Sequence, residues 1–265
     1  MIGKRLVTSL GLGIITLLAV VFEPICGIVV TLFIAMGLYE FFNMVEKKEV
    51  KLFKSVGILT GILIPFSIYM KFPIKETGQF LFTVIGLFLL FLLELTKKEN
   101  HQTIFSISAT IFGILYISWC FSFLIRIRQL PQGEVLSAFL LIVTKFSDIG
   151  AYFWGKKFGK ISLIKRVSPQ KSLEGAVGGF FTSVSVGILL FWCVKDVFSF
   201  VEGIVLIIIL AIVSQLGDLF ESLIKRDCKV KDSGKLLPGM GGVLDVIDSI
   251  IFTAPTFYLY TIMMR

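Results

Sequence analysis

The chain has 265 residues, of which 56% are hydrophobic and 17% charged, with 27 phenylalanines and a mean hydropathy of +0.92. No soluble domain buries that much apolar side chain, so the composition excludes an ordinary globular protein and points to a polytopic helical membrane protein. The formal charge of +8 would suggest nucleic acid in a soluble protein, but here the cations sit in loops between apolar runs, and no nucleic-acid partner is expected.

The amino end (Lys4, Arg5, then an apolar run) has the look of a signal peptide. No small-residue cleavage site follows it and further apolar runs do, so it reads as an uncleaved first helix. Apolar runs then separate at about 6–22, 25–44, 52–71, 78–95, 103–125, 133–155, 175–194, 200–222 and 243–262. Each is near the ~20 residues that a helix needs to cross a bilayer. The expected fold is all-α, with about nine transmembrane helices and a cytoplasmic amino terminus. Residues 1–130 are expected to form structural or oligomerisation helices, and 131–265 to carry the chemistry-bearing residues.

Orientation follows from the 26 Lys and Arg. With the amino end inside, 19 fall on the cytoplasmic side: Lys4 and Arg5, four lysines at 47–54, Lys97, Lys98, six cations at 156–171 and five at 225–235. Six fall on the other side and Lys145 lies within a run. That imbalance is the positive-inside pattern. It also gathers Glu40, Glu94, Lys145, Asp148, Asp218, Glu221, Asp245 and Asp248 at one leaflet. Intramembrane charges face a bundle interior or a wet cavity, so one polar cavity open to the cytoplasm is expected.

Lys145 and Asp148 are spaced i, i+3, which also suits a buried structural ion pair. Tyr152, Phe153 and Trp154 read as an interfacial aromatic belt. At Ser168–Gly175, Ser172 is a plausible N-cap, and the helix start beside Lys171 suits a phosphate as well as an ordinary cap. Gly175 and Gly179 form a GxxxG, better explained by close helix packing than by a ligand. His101 sits in a polar loop without a partner motif. The cysteines Cys26, Cys120, Cys193 and Cys228 show no paired spacing and read as free thiols. No GxSxG, Walker A or HExxH pattern occurs, which weighs against hydrolase, P-loop and zincin chemistry.

Ser214–Ser249 carries the chemistry. Asp218 and Glu221 lie three apart at the end of one apolar run, and Asp245 and Asp248 three apart at the start of the next. On helices each pair shares a face. Between them lie Lys225, Arg226, Lys229, Lys231 and Lys235, Asp232, and the turn Pro238-Gly239-Met240-Gly241-Gly242. Carboxylates suit a hard cation such as Mg²⁺, whereas Lys, Arg and close-approaching glycine backbone suit phosphate. A basic loop alone is what any membrane protein carries on its cytoplasmic side. Four acids in apolar helix ends are not, because they are costly there unless used.

The run Ser222-Leu-Ile-Lys225-Arg226, then Lys231-Asp232-Ser233-Gly234, then Leu237-Pro238-Gly239-x-Gly241-Gly242-x-Leu244-Asp245-x-x-Asp248 resembles the signature of the phosphatidate cytidylyltransferases. The Lys171–Gly175 segment and the Asp148 run match the same family, over at least residues 140–262. The resemblance implies the reaction of CTP with phosphatidate to give CDP-diacylglycerol and pyrophosphate, at the inner membrane of a bacterium with its site facing the cytoplasm. It implies Asp218 and Asp245 as Mg²⁺ ligands, with Glu221 and Asp248 as further candidates and a second cation left open. Lys225 and Arg226 are implied as catalytic, and Lys171, Ser172, Lys231, Asp232, Ser233, Lys235, Gly241, Gly242 and Asp148 as substrate- or phosphate-binding. The partners are then CTP, phosphatidate and membrane lipids, with a homodimer left open.

Two positions depart from the family pattern, with Met240 where it has His and Val246 where it has Arg. Both losses fall at a phosphate site and should lower turnover. A divergent member that only binds lipid or nucleotide is therefore the alternative. An intramembrane prenyltransferase or a CDP-alcohol phosphotransferase is another, although the latter's DxxDG-type run is absent. A transporter would need polar groups reaching both leaflets.

Overall fold

The computed structural model of the chain describes residues 2–70, 75–96 and 102–264. His101, Lys97 and Lys98 lie outside them. The described residues are nearly all helical, in the order α1 (Ile2–Val21), α2 (Glu23–Glu46), α3 (Lys54–Tyr69), α4 (Lys75–Leu95), α5 (Thr103–Gly113), α6 (Phe123–Arg128), α7 (Gly133–Phe158), β1 (Ser162–Ile164), β2 (Ser168–Ser172), α8 (Leu173–Leu190), α9 (Phe200–Asp227) and α10 (Leu244–Met263). A π-helical stretch, Ile114–Trp119, leads on from α5.

Six segments among the described residues are long and apolar enough to cross a membrane: α2, Thr103–Arg128, α7, Leu173–Cys193, α9 and α10. Leu6–Val21, Lys54–Tyr69 and Val84–Leu95 are apolar but shorter. Every expected apolar run is thus helical, and six of the nine reach spanning length. The all-α expectation needs one correction. The 156–174 loop holds an antiparallel hairpin, β1 on β2, with Ser162 opposite Ser172 and Ile164 opposite Ser168. Its sequence has too few apolar residues to reveal strand periodicity.

The chain forms two compact units. One comprises Met1–Arg126 with Cys228–Val246, and the other Ile127–Asp227 with Ile247–Arg265. The signature run is therefore divided between them, with its 228–246 part in the unit built from the amino-terminal helices.

In the first unit, small residues let helices approach. A Cβ at Gly57 would lie 2.7 Å from the Phe42 ring, and one at Gly61 would strike Leu38. Ile34, Leu38, Phe42, Ile64 and Ile117 are buried there. Ser118 Oγ donates to the Gly61 carbonyl at 2.5 Å.

In the second unit α7 and α8 cross closely. A Cβ at Gly179 would lie 2.7 Å from the Ser147 carbonyl oxygen, and one at Gly150 2.6 Å from Thr182. The packing role expected of the GxxxG glycines is seen. Leu136, Leu140, Leu206, Leu210 and Phe257 fill the interior. Phe181, Leu189 and Trp192 are exposed apolar groups, as suits lipid-facing positions.

Candidate functional site

In the second unit, the amino end of α8 is built by its own sequence. Ser172 is extended and its hydroxyl accepts from Gly175 N at 3.1 Å, the expected N-cap. Glu174, in the first turn, accepts from Lys160 N at 3.1 Å and so ties the hairpin to the helix start. A cavity of about 420 Å³ opens here, lined among others by Asp148, Lys171, Ser172, Gly175, Gln215 and Asp218.

Lys171 spans this cavity wall. Its Nζ lies 2.6 Å from Asp218 Oδ1 and donates to Asp218 O at 3.2 Å and to Ser222 Oγ at 3.1 Å. Gln215 Nε2 donates to the Ala176 carbonyl at 2.9 Å. Lys145 pairs with Asp148 at 3.1 Å, as its spacing predicted, and also donates to Ser249 Oγ at 3.1 Å. Ser249 Oγ in turn donates to Asp148 Oδ2 at 3.0 Å. Asp248 accepts from Ser249 N at 2.6 Å and lies within electrostatic reach of Asp218, Lys145, Glu221 and Asp148.

Lys225 is paired with the fully buried Glu221 one turn before it. Arg226 Nε donates to the Val167 carbonyl at 3.0 Å. Lys225 and Arg226, expected to be catalytic, are thus both engaged by protein groups here. Lys145, Gln215, Ser222 and Ser249 were not among the expected site residues. The i, i+3 spacing of Lys145 with Asp148 and the place of Ser222 in the signature run were usable signals, whereas Gln215 and Ser249 in apolar helices gave none.

In the first unit, Asp245 stands in the first turn of α10. Its Oδ2 accepts from Gly242 N at 2.7 Å, Ser233 Oγ at 2.9 Å and Ser233 N at 3.0 Å. Gly241 has φ +98°, and a Cβ on it would lie 2.6 Å from that same oxygen. A Cβ on Gly242 would collide with Ser233 Oγ and with Glu40 Oε2. The paired glycines make room for the protein's own carboxylates. Lys231, Asp232 and Lys235 are exposed.

Met240 accepts from Ser9 Oγ at 3.6 Å, and Thr8 Oγ1 donates to Pro238 O at 3.0 Å, so the Gly-rich turn rests on α1. Glu40 reaches the same loop; its leaflet grouped it with the other acids, but an isolated Glu near a helix end gave no sign of these partners.

Among the described residues, no three or more His, Cys, Asp or Glu side chains are already grouped as a metal would group them. The donor chemistry nonetheless fits a hard cation. Asp148, Asp218, Glu221 and Asp248 offer only oxygen, and amines balance three of them.

The chain matches the cytidylyltransferase family over residues 3–264. It is 33% identical over 228 residues to "Phosphatidate cytidylyltransferase" of Bacillus subtilis, covering 84% of this chain and 85% of that protein. The protein of the same name from Thermotoga maritima is 32% identical over 250 residues, 92% and 90% of the two chains. That from Brucella suis is 34% identical over 269 residues, 97% and 92%.

Proposed function

The chain belongs to the cytidylyltransferase family, and from that premise we propose that it is a phosphatidate cytidylyltransferase, converting CTP and phosphatidate to CDP-diacylglycerol and pyrophosphate. The observation that carries the reading is the cavity at the amino end of α8, where Lys171 bridges Asp218 and Ser222. A helix N-terminus and a lysine suit a phosphate, and adjacent carboxylates suit its counter-cation.

A phosphatidate phosphate oxygen attacks the α-phosphorus of CTP. The new P–O bond forms as the bond to the β-phosphate oxygen breaks, and pyrophosphate leaves with that electron pair. The nucleophile is already anionic, so positioning and charge neutralisation suffice.

Mg²⁺, when bound, neutralises charge on the triphosphate, and Asp218 and Asp245 are its proposed ligands, with Glu221 and Asp248 as further candidates. Lys171 then moves from Asp218 to phosphate. Lys225, Arg226, Lys231 and Lys235 supply further positive charge, and Ser172, Asp148, Asp232, Ser233, Gly241 and Gly242 complete the substrate side. Met240 and Val246 reduce the rate without removing the lysines that bind substrate.

The cation imbalance supports an orientation with the amino end and the 156–174 and 223–242 loops cytoplasmic, and nine spans at the inner membrane belong to the same proposal. Cysteine-accessibility labelling checks this, and finding those two loops on opposite faces would overturn it. CTP-dependent formation of CDP-lipid by the purified protein tests the activity. Tight binding of CTP and phosphatidate with no product in Mg²⁺ would favour the binding-only alternative.

A further inference from the structure

Glu40 lies in the apolar α2 helix and is only 2% exposed. A carboxylate in such a place is costly unless donors meet it. Several do. Glu40 Oε2 accepts from Leu244 N at 3.0 Å, the Val243 N–H faces the same carboxylate, and Ser233 Oγ lies 3.1 Å from Oε2. Among the described residues its Oε1 has no hydrogen-bond partner, and it faces Gly234, where a Cβ would collide with it. Gly242 closes the other side, since a Cβ there would collide with Oε2. The loop is thus folded around this carboxylate, and two of its glycines leave space for it.

Ser233 extends the contact to Asp245. Its hydroxyl lies 3.1 Å from Glu40 Oε2 and 2.9 Å from Asp245 Oδ2, and its backbone N–H also reaches Asp245 Oδ2. A hydroxyl has one proton to donate, so the two carboxylates are coupled through it. Leu244 N fixes the start of the helix that carries Asp245. From these contacts we infer that Glu40 is a positioning residue for the transfer: it anchors the 233–244 loop and, through Ser233, sets the orientation of Asp245. The inference rests on the reading of Asp245 as a cation ligand. Glu40 itself touches no reacting atom.

The test uses the full-length protein with phosphatidate and CTP, titrated with Mg²⁺, as wild type, E40Q, E40A, S233A and the E40A/S233A pair. Groups that hold a metal ligand in place change metal affinity or activity by roughly 10–100-fold when lost. E40A should raise the half-saturating Mg²⁺ and lower kcat within that range, while KM for CTP at saturating Mg²⁺ moves less. E40Q retains an accepting oxygen without the charge and should fall between E40A and wild type. S233A should shift Mg²⁺ dependence in the same direction, and the pair should be little worse than E40A alone.

Mg²⁺-dependent protection against thermal unfolding gives a readout apart from turnover, in which E40Q should need more Mg²⁺ than wild type for equal protection. If E40A does not fold, E40Q and S233A carry the test. Wild-type Mg²⁺ dependence in both, or losses that only track loss of folded protein, would overturn the inference. So would a wild-type protein that Mg²⁺ does not protect. Protection by Mg²⁺ without CDP-diacylglycerol formation would overturn the reaction reading alone.

Discussion

In the second unit Asp148, Asp218 and Glu221 each face an amine, from Lys145, Lys171 and Lys225 respectively. In the first, Glu40 Oε2 and Asp245 Oδ2 accept from backbone N–H groups and one serine hydroxyl. An amine on a four-carbon stem can swing to a phosphate when a cation takes its place beside the carboxylate. A backbone N–H cannot. On the proposed reading the comparison sets exchangeable charge in one unit against fixed orientation in the other.

The sharpest way to break it is Asp218→Asn, which removes the charge that Lys171 balances. Turnover should fall by roughly a thousandfold, about 4 kcal/mol of transition-state stabilisation, while the protein still folds. Retained Mg²⁺-dependent CDP-diacylglycerol formation would remove Asp218 from the site.

Lys171→Ala should cost roughly 10–100-fold in kcat/KM for CTP, since a charge-assisted contact contributes about 1.5–3 kcal/mol. If the lysine is exchangeable, the loss appears in turnover and leaves the thermal stability of the cation-free protein little changed. A large drop in that stability would mark the lysine as fixed structure and dissolve the contrast.

The first unit is tested by gain. Met240→His with Val246→Arg should raise turnover by roughly two to four orders of magnitude, each added charge-assisted bond being worth about 1.5–3 kcal/mol, with either single change doing less. The Ser9 contact to Met240 favours the competing view that the residue only packs the turn against α1. No rise in any correctly folded variant would establish that view.

The smallest effect is expected at the α7–α8 crossing, where neither kind of charge is involved. Gly179→Ala places a Cβ 2.7 Å from the Ser147 carbonyl oxygen and should cost about 1–3 kcal/mol of stability. A lowered melting temperature with normal activity per folded molecule is the expected result.

Periodicity and composition made the helices legible, because each apolar run is long and interrupted by charge, as at Lys47–Lys54 and Lys156–Lys171. The hairpin at 162–172 was not legible, since its short strands carry too few apolar residues to show a period of two. Spacing singled out Asp148, Asp218, Glu221, Asp245 and Asp248 as candidates, and capping chemistry placed Ser172 at the start of α8. What it could not reveal was partner choice. Nothing local to Arg226 says that it meets the Val167 carbonyl, and nothing local to Glu40 says that its donors lie in a loop near the other end of the chain.

That distance in sequence has a consequence for how the protein is made. Glu40 is 193 residues before Ser233 and 204 before Leu244. At about 5–20 residues per second of synthesis, its donors emerge roughly 10–40 s after it does. During that interval an acid sits in a nascent apolar helix at a standing cost of roughly 2.5–3.5 kcal/mol if it enters the bilayer centre. The first five helices therefore reach the membrane before the loop that completes their unit exists. A ribosome stalled before residue 228 should leave α2 unsettled and open to quality-control proteases, so maturation of this half waits on the end of translation.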